Sequence, residues 1–206
     1  MAVVLPGKFI YLATINTASE RTAQALKGID GAFAAYDKRH GIGHHARLKD
    51  VKKVCGDRLT GTEVVFTTIR NPYDLLATWF VRNQGHYQMR ILEERQGKEG
   101  SFRQFLELWL AIDRPPHLLD RRIFYHADDA RVRLRFETLQ TQIDALMRKI
   151  PGVPPHVPLG MQKFTEGRDH WSTYYDDPLY AFVNEEFKDD FVKFGYPFIW
   201  SSDQLA

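Results

Sequence analysis

The segment Glu63–Asp74, EVVFTTIRNPYD, constrains the chain more than any other. Glu63 to Ile69 is β-branched and apolar, a composition suited to a buried strand. Asn71-Pro72 follows almost at once, and proline fits the first turn of a helix. Leu75, Leu76, Trp79 and Phe80 then give that helix an apolar face. A strand that passes within two residues into a helix is a building unit of α/β folds.

The rest of the chain keeps this alternation. The N-terminus MAVVLPGKFIYLAT is apolar without a basic leader, and reads as a first strand rather than a signal peptide, with FIYLAT (Phe9 to Thr14) its compact core. Ser19 is placed to cap a short helix through Lys27 that Gly28 ends. Gly41 to Gly43 mark a break, and a basic helix is expected from about Ala46 to Cys55. Tyr87 to Gly100 reads as a helix end and an exposed loop. Phe102, Phe105, Leu106, Trp109 and Leu110 have helical spacing. Arg131 to Phe136 (RVRLRF) alternates as a strand does, and Thr138 to Ile150 follows as a helix. Pro151 to Pro158 holds four prolines and must be irregular. Pro178 opens a last helix, with Leu179, Phe182, Val183, Phe187 and Phe191 on one face. The expectation is one α/β domain over residues 1–206, with a mainly parallel central sheet flanked by helices. Ligands of such sheets bind beyond the carboxyl ends of the strands. The Thr14–Thr22 turn and the Arg70 turn should meet there.

Composition narrows the function. Apolar residues make up 44% and charged residues 26%, which fits a packed core and argues against disorder. With 28 basic and 26 acidic residues the net charge is only +2, too balanced for non-specific nucleic-acid binding. A local anion site needs no such excess. Cys55 is the only cysteine, so no intrachain disulfide can form. No stretch has the length of a membrane span. A soluble cytoplasmic protein is expected, without nucleic-acid or membrane partners.

Two strand–turn–helix elements carry the chemistry. In FIYLAT-INTASERT-AQAL, small and hydroxyl residues form a turn at a helix N-terminus, where free N–H groups and the helix dipole favour a phosphate. Thr17, Ser19 and Thr22 can add hydroxyl donors. The same pattern fits an ordinary capped turn, and it lacks the GxxxxGK[ST] of a P-loop. In EVVFTTI-RNPYD-LLATWF, Arg70 ends the strand and Thr78 lies eight residues on. Arginine recognises phosphate with two parallel hydrogen bonds. By spacing alone, Arg70 can equally pair with Asp74. No spacing of His, Cys and Asp suggests a metal site.

RNPYDLLATWF resembles the 3′-phosphate-binding motif of the sulfotransferase superfamily, Arg-x-Pro-x-Asp followed by a hydroxyl residue. INTASERT resembles the family's 5′-phosphosulfate loop, Pro-Lys-Thr-x-x-(Ser/Thr)-(Ser/Thr). RLRFETLQTQIDAL is similar to its Arg-Phe-Glu-x-Leu strand and helix. YYDDPLYAFVNEEFKDDFVKFGYPF resembles the terminal helix of its bacterial and carbohydrate-acting branches. The matches fall in the family's order along most of the chain.

This resemblance implies the family's P-loop-like fold and 3′-phosphoadenosine 5′-phosphosulfate as donor, with no metal. It puts Arg70 and Thr78 on the 3′-phosphate. Asn16, Thr17, Ala18, Ser19, Glu20, Arg21 and Thr22 then surround the 5′ end. GHHARLKDV is similar to a His-Ala element of carbohydrate-acting members, which makes His45, with His44 as the rival, the base that deprotonates an acceptor hydroxyl. The acceptor class stays open among carbohydrate, small metabolite and protein tyrosine. Asn16 stands where the family has lysine, and Glu20 where it has a hydroxyl residue. Arg21 is positioned to compensate. Lys163 and Arg168, in QKFTEGRDHW, are of the kind that cover bound nucleotide. The rival readings are a nucleotide-binding relative without turnover and another phosphate-handling enzyme such as a nucleotide kinase.

Overall fold

The computed structural model describes residues 2–35, 45–83, 101–112, 124–160 and 169–205. The chain divides into two compact units. The first is Met1–Arg70 with Phe124–Gly167, and the second is Asn71–Ile123 with Arg168–Ala206.

The first unit contains the sheet. Its strands are β1 (Ala2–Leu5), β2 (Phe9–Leu12), β3 (Phe33–Ala35), β4 (Val64–Ile69) and β5 (Val132–Arg135), in the order β3-β1-β2-β4-β5. The sheet is mixed, which corrects the expectation of a mainly parallel one. β2–β4 and β4–β5 pair in parallel, but β1 runs antiparallel to both β2 and β3. The cause is the Pro6-Gly7 step, with Gly7 at φ 69, a left-handed value that glycine adopts readily. It folds the apolar N-terminus into a hairpin with Leu5 opposite Phe9, where one strand was expected.

Both faces of β1 and β2 are buried. Val3, Leu5, Phe9 and Tyr11 point into one core, together with α1 (Ser19–Lys27) and α5 (Leu139–Met147). Ala2, Val4, Ile10 and Leu12 point into the other, which α2 (Leu48–Cys55) covers. The basic helix starts at Leu48 rather than Ala46. There the Asp129 carboxylate accepts from the Leu48 N–H and Asp50 accepts from the Arg47 N–H. Cys55 is buried in α2, and burial pushes its thiol pKa up, away from thiolate chemistry. The proline-rich run after α5 is irregular and fastened to that helix. Asp144 accepts from Val157 N–H, and Gln140 joins the Val157 carbonyl and the Leu159 N–H.

The second unit is helical in its described residues: α3 (Pro72–Asn83), α4 (Phe102–Ile112), α6 (Asp177–Glu186) and α7 (Lys188–Phe194). Tyr73 sits at its centre, fully buried. Its hydroxyl donates to Asn184 Oδ1 and accepts from the Ile199 N–H at 2.9 Å. Its ring stacks on Trp171 at 5.5 Å. Asp176 caps α6 through the Leu179 N–H, with Pro178 in the first turn. The expected single last helix is two, breaking at Phe187, whose φ of −119° and ψ of 22° leave the helical region. Leu179, Val183, Phe187 and Phe191 are nevertheless all buried, and Phe182 is half-buried. No helix among the described residues is long and apolar enough to cross a membrane.

Candidate functional site

β2 and β4 run side by side, with Leu12 opposite Thr67, so their carboxyl ends open at the same edge. The turn that leaves β2 there has two non-glycine residues in the left-handed region, Asn16 at φ 54 and Ala18 at φ 58. Ala18, not Ser19, is the N-cap of α1, and it has no side chain to cap with. The helix's first-turn N–H groups therefore lack the side-chain oxygen that usually takes one of them. Backbone N–H groups gathered by left-handed residues ahead of a helix N-terminus favour an anion.

The turn is held from below by hydroxyls. Thr67 Oγ1 donates to the Leu12 carbonyl at 2.6 Å, so Thr14 Oγ1, 2.7 Å away, donates to Thr67. Thr17 Oγ1 donates to the Thr14 carbonyl at 3.0 Å, and Thr22 Oγ1 to the Ala18 carbonyl at 3.1 Å. All four threonines are fully buried. Thr17 and Thr22, expected as ligand donors, thus spend their hydroxyl hydrogens on the turn itself in this structure. Thr14 and Thr67 were not picked out from the sequence. Their signal was a pair of polar residues, Thr67-Thr68, inside an otherwise apolar strand.

Two ring and cation side chains hold the turn from its ends. Arg70 Nη1 donates to the Asn16 carbonyl at 2.8 Å, and its guanidinium lies over the Phe136 ring, 4.0 Å from the centroid. Arg70 is only 3% exposed, so it is a buried cation at the strand end. His45 Nδ1 lies 3.1 Å from the Ala13 carbonyl. A carbonyl can only accept, so the neutral ring carries its hydrogen on Nδ1 and keeps Nε2 as the basic nitrogen.

The remaining sequence candidates are distributed as follows. Ser19 is half-buried and Glu20 is exposed. Arg21 is half-buried and donates Nη1 to the Gly160 carbonyl at 3.1 Å. Thr78 lies in α3 of the second unit, 8% exposed, one turn beyond the buried Asp74. Lys163, Arg168 and His44 lie outside the described residues. Among the described residues no cluster of three or more His, Cys, Asp or Glu side chains is placed to hold a metal ion.

The chain is thus an α/β protein with a mixed sheet and an anion-favouring turn at the carboxyl end of β2. Comparison with protein-family models, curated proteins and solved structures finds no match.

Proposed function

We propose that this protein transfers a sulfuryl group from 3′-phosphoadenosine 5′-phosphosulfate to an acceptor hydroxyl. One observation carries the reading: the hydrogen bond from Arg70 to Asn16 joins the two motifs that resemble the sulfotransferase 3′- and 5′-phosphate elements. In this reading the Asn16–Thr22 turn takes the 5′ end through backbone N–H groups. Arg70 and Thr78 take the 3′-phosphate, and Lys163 and Arg168 cover the nucleotide. His45 Nε2 accepts the acceptor's hydroxyl proton as that oxygen attacks sulfur. The bond from sulfur to the 5′-phosphate oxygen breaks, and 3′-phosphoadenosine 5′-phosphate leaves. Positioning and charge stabilisation supply the rate, and no metal is required. The acceptor is a carbohydrate, a small metabolite or a tyrosine.

Calorimetric titration with 3′-phosphoadenosine 5′-phosphate beside AMP tests the reading. Charge-assisted hydrogen bonds to the 3′-phosphate should make the bisphosphate tighter by about 1.5–3 kcal/mol. Equal affinity for the two nucleotides would overturn it.

A second reading, nucleotide binding without turnover, is favoured by Asn16. The family's lysine charge is missing from the turn, and the left-handed backbone at this residue suits asparagine. Release of the bisphosphate from labelled donor, with a panel of hydroxyl acceptors, separates the two.

A further inference from the structure

The amino ends of β4 and β5 lie at the opposite edge of the sheet from the Asn16 turn, and a cleft of about 650 Å³ opens there within the first unit. Its volume lies in the range of small-molecule sites. The floor is apolar. Ile10 and Val65 rise from the sheet, and Leu48 and Leu59 close it from α2 and the segment after it. These two leucines are only partly buried.

Four charged residues line the same cleft: Glu63, Asp129, Lys52 and Arg131. Both acids are already satisfied by the protein. Glu63 accepts from the N–H groups of Gly7, Thr60 and Gly61. Asp129 receives two hydrogen bonds from the Arg47 guanidinium and one from the Leu48 N–H. The cations differ. Lys52 and Arg131 are exposed, and their side chains have no partner among the described residues. Counting Arg47 with Asp129, the cleft has one positive charge more than negative. It joins an apolar floor to two uncommitted cations on separate elements.

We propose that this cleft binds an amphipathic organic anion, with a carboxylate or similar acidic head on Lys52 and Arg131 and an apolar stem on Ile10, Val65 and Leu59. The site is independent of the nucleotide reading, since it shares no residue with the Asn16 turn.

The test uses the full chain, isotope-labelled, with decanoate and decan-1-ol as probes in nuclear magnetic resonance titrations. The two have the same length of stem and differ in the charge of the head. Decanoate should give saturable shifts at the amides of Leu59, Gly61 and Val65 and bind more tightly than the alcohol. The double variant Lys52→Ala/Arg131→Ala should weaken decanoate about tenfold while leaving the alcohol unchanged, as expected for loss of two exposed ion pairs. Both residues are at the surface, so the fold should survive; the variant's spectrum verifies this. Equal affinity for acid and alcohol, an unchanged double variant, or shifts confined to other residues would each overturn the proposal.

Discussion

Arg70 Nη1 donates to the Asn16 carbonyl at 2.8 Å, so the end of one strand fixes the conformation of the turn leaving its neighbour. A buried guanidinium bound to a carbonyl and stacked on Phe136 cannot be removed silently. Arg70→Ala should lower stability by about 1–3 kcal/mol, the cost of losing a charge-assisted hydrogen bond in a buried place. Arg70→Lys should recover only part, since an ammonium cannot reproduce a planar fork. Urea denaturation of the three proteins measures both. If alanine at this position leaves the midpoint where it is, the clamp has no energetic weight.

His45 offers a kinetic test. Its Nδ1 hydrogen is held by the Ala13 carbonyl, which keeps Nε2 basic. If it is the general base, His45→Ala should lower turnover by about 10²–10⁴-fold with nucleotide affinity retained. His44→Ala should be mild. The reverse pattern in sulfuryl-transfer rates would reassign the base.

Asn16 and Ala18 both pay for left-handed backbone. A left-handed conformation costs a typical residue roughly 1–2 kcal/mol, and asparagine less. Asn16→Ala should therefore destabilise, whereas Ala18→Gly should stabilise or be neutral. Asn16→Lys, which supplies the lysine charge of the sulfotransferase loop that this turn resembles, should on the proposed reading raise sulfuryl-transfer activity only at a cost in melting temperature. Scanning calorimetry and a turnover assay on the same preparations separate the two effects. A lysine variant both more stable and no more active would contradict this account of the turn.

Thr67 holds the turn from beneath. Thr67→Val keeps the shape but removes the donor to Leu12 and the acceptor for Thr14. Leaving those buried groups unpaired should cost about 1–3 kcal/mol. Thr62→Val, which loses only a solvent-exposed hydrogen bond to the Thr60 hydroxyl, is the control and should cost less. Equal midpoints for the two variants would mean that the hydroxyl chain is ornamental.

Glu63 sets the acid limit. Burial alone would raise its pKa, but N–H donors from Thr60 and Gly7, its own backbone N–H and the Thr60 hydroxyl outweigh that and bring it to about 2. The folded value lies below the ordinary 4.5, so the stabilisation is fully present above that value. It is lost as pH falls towards 2. The loss should be about 2 kcal/mol, allowing for water at this surface turn. Glu63→Gln should be less stable than the parent at pH 7 and converge with it near pH 2. Parallel stability curves across that range would exclude the assignment.

Much of this was legible in the sequence, for identifiable reasons. β4 declared itself because Val64, Val65, Thr67, Thr68 and Ile69 are β-branched, and α3 because proline marked its start. The meeting of Arg70 with the β2 turn followed from the parallel pairing of their strands. The hairpin is hidden because the apolar residues on both sides of Pro6-Gly7 run on as one strand would, although that dipeptide is itself a turn signal. β3 was missed because three residues, two of them alanine, give no periodicity. The helix cap was misplaced because a left-handed alanine has no sequence signature: Ser19 has the better side chain, but the backbone puts Ala18 first. The threonine chain needed the sheet register, since Thr14 and Thr67 are 53 residues apart.

The sheet is drawn from two stretches of chain, and β5 is the last of its strands to be made. On the ribosome β1 to β4 emerge first, and β4, with β2 on one side, must wait until Val132–Arg135 have followed before its other side is paired. For that interval an apolar strand presents open N–H and C=O groups to any passing strand. A nascent chain paused after β4 has emerged and before β5 has is therefore open to mispairing along that strand. Completing the sheet is a matter of translation speed as well as of sequence.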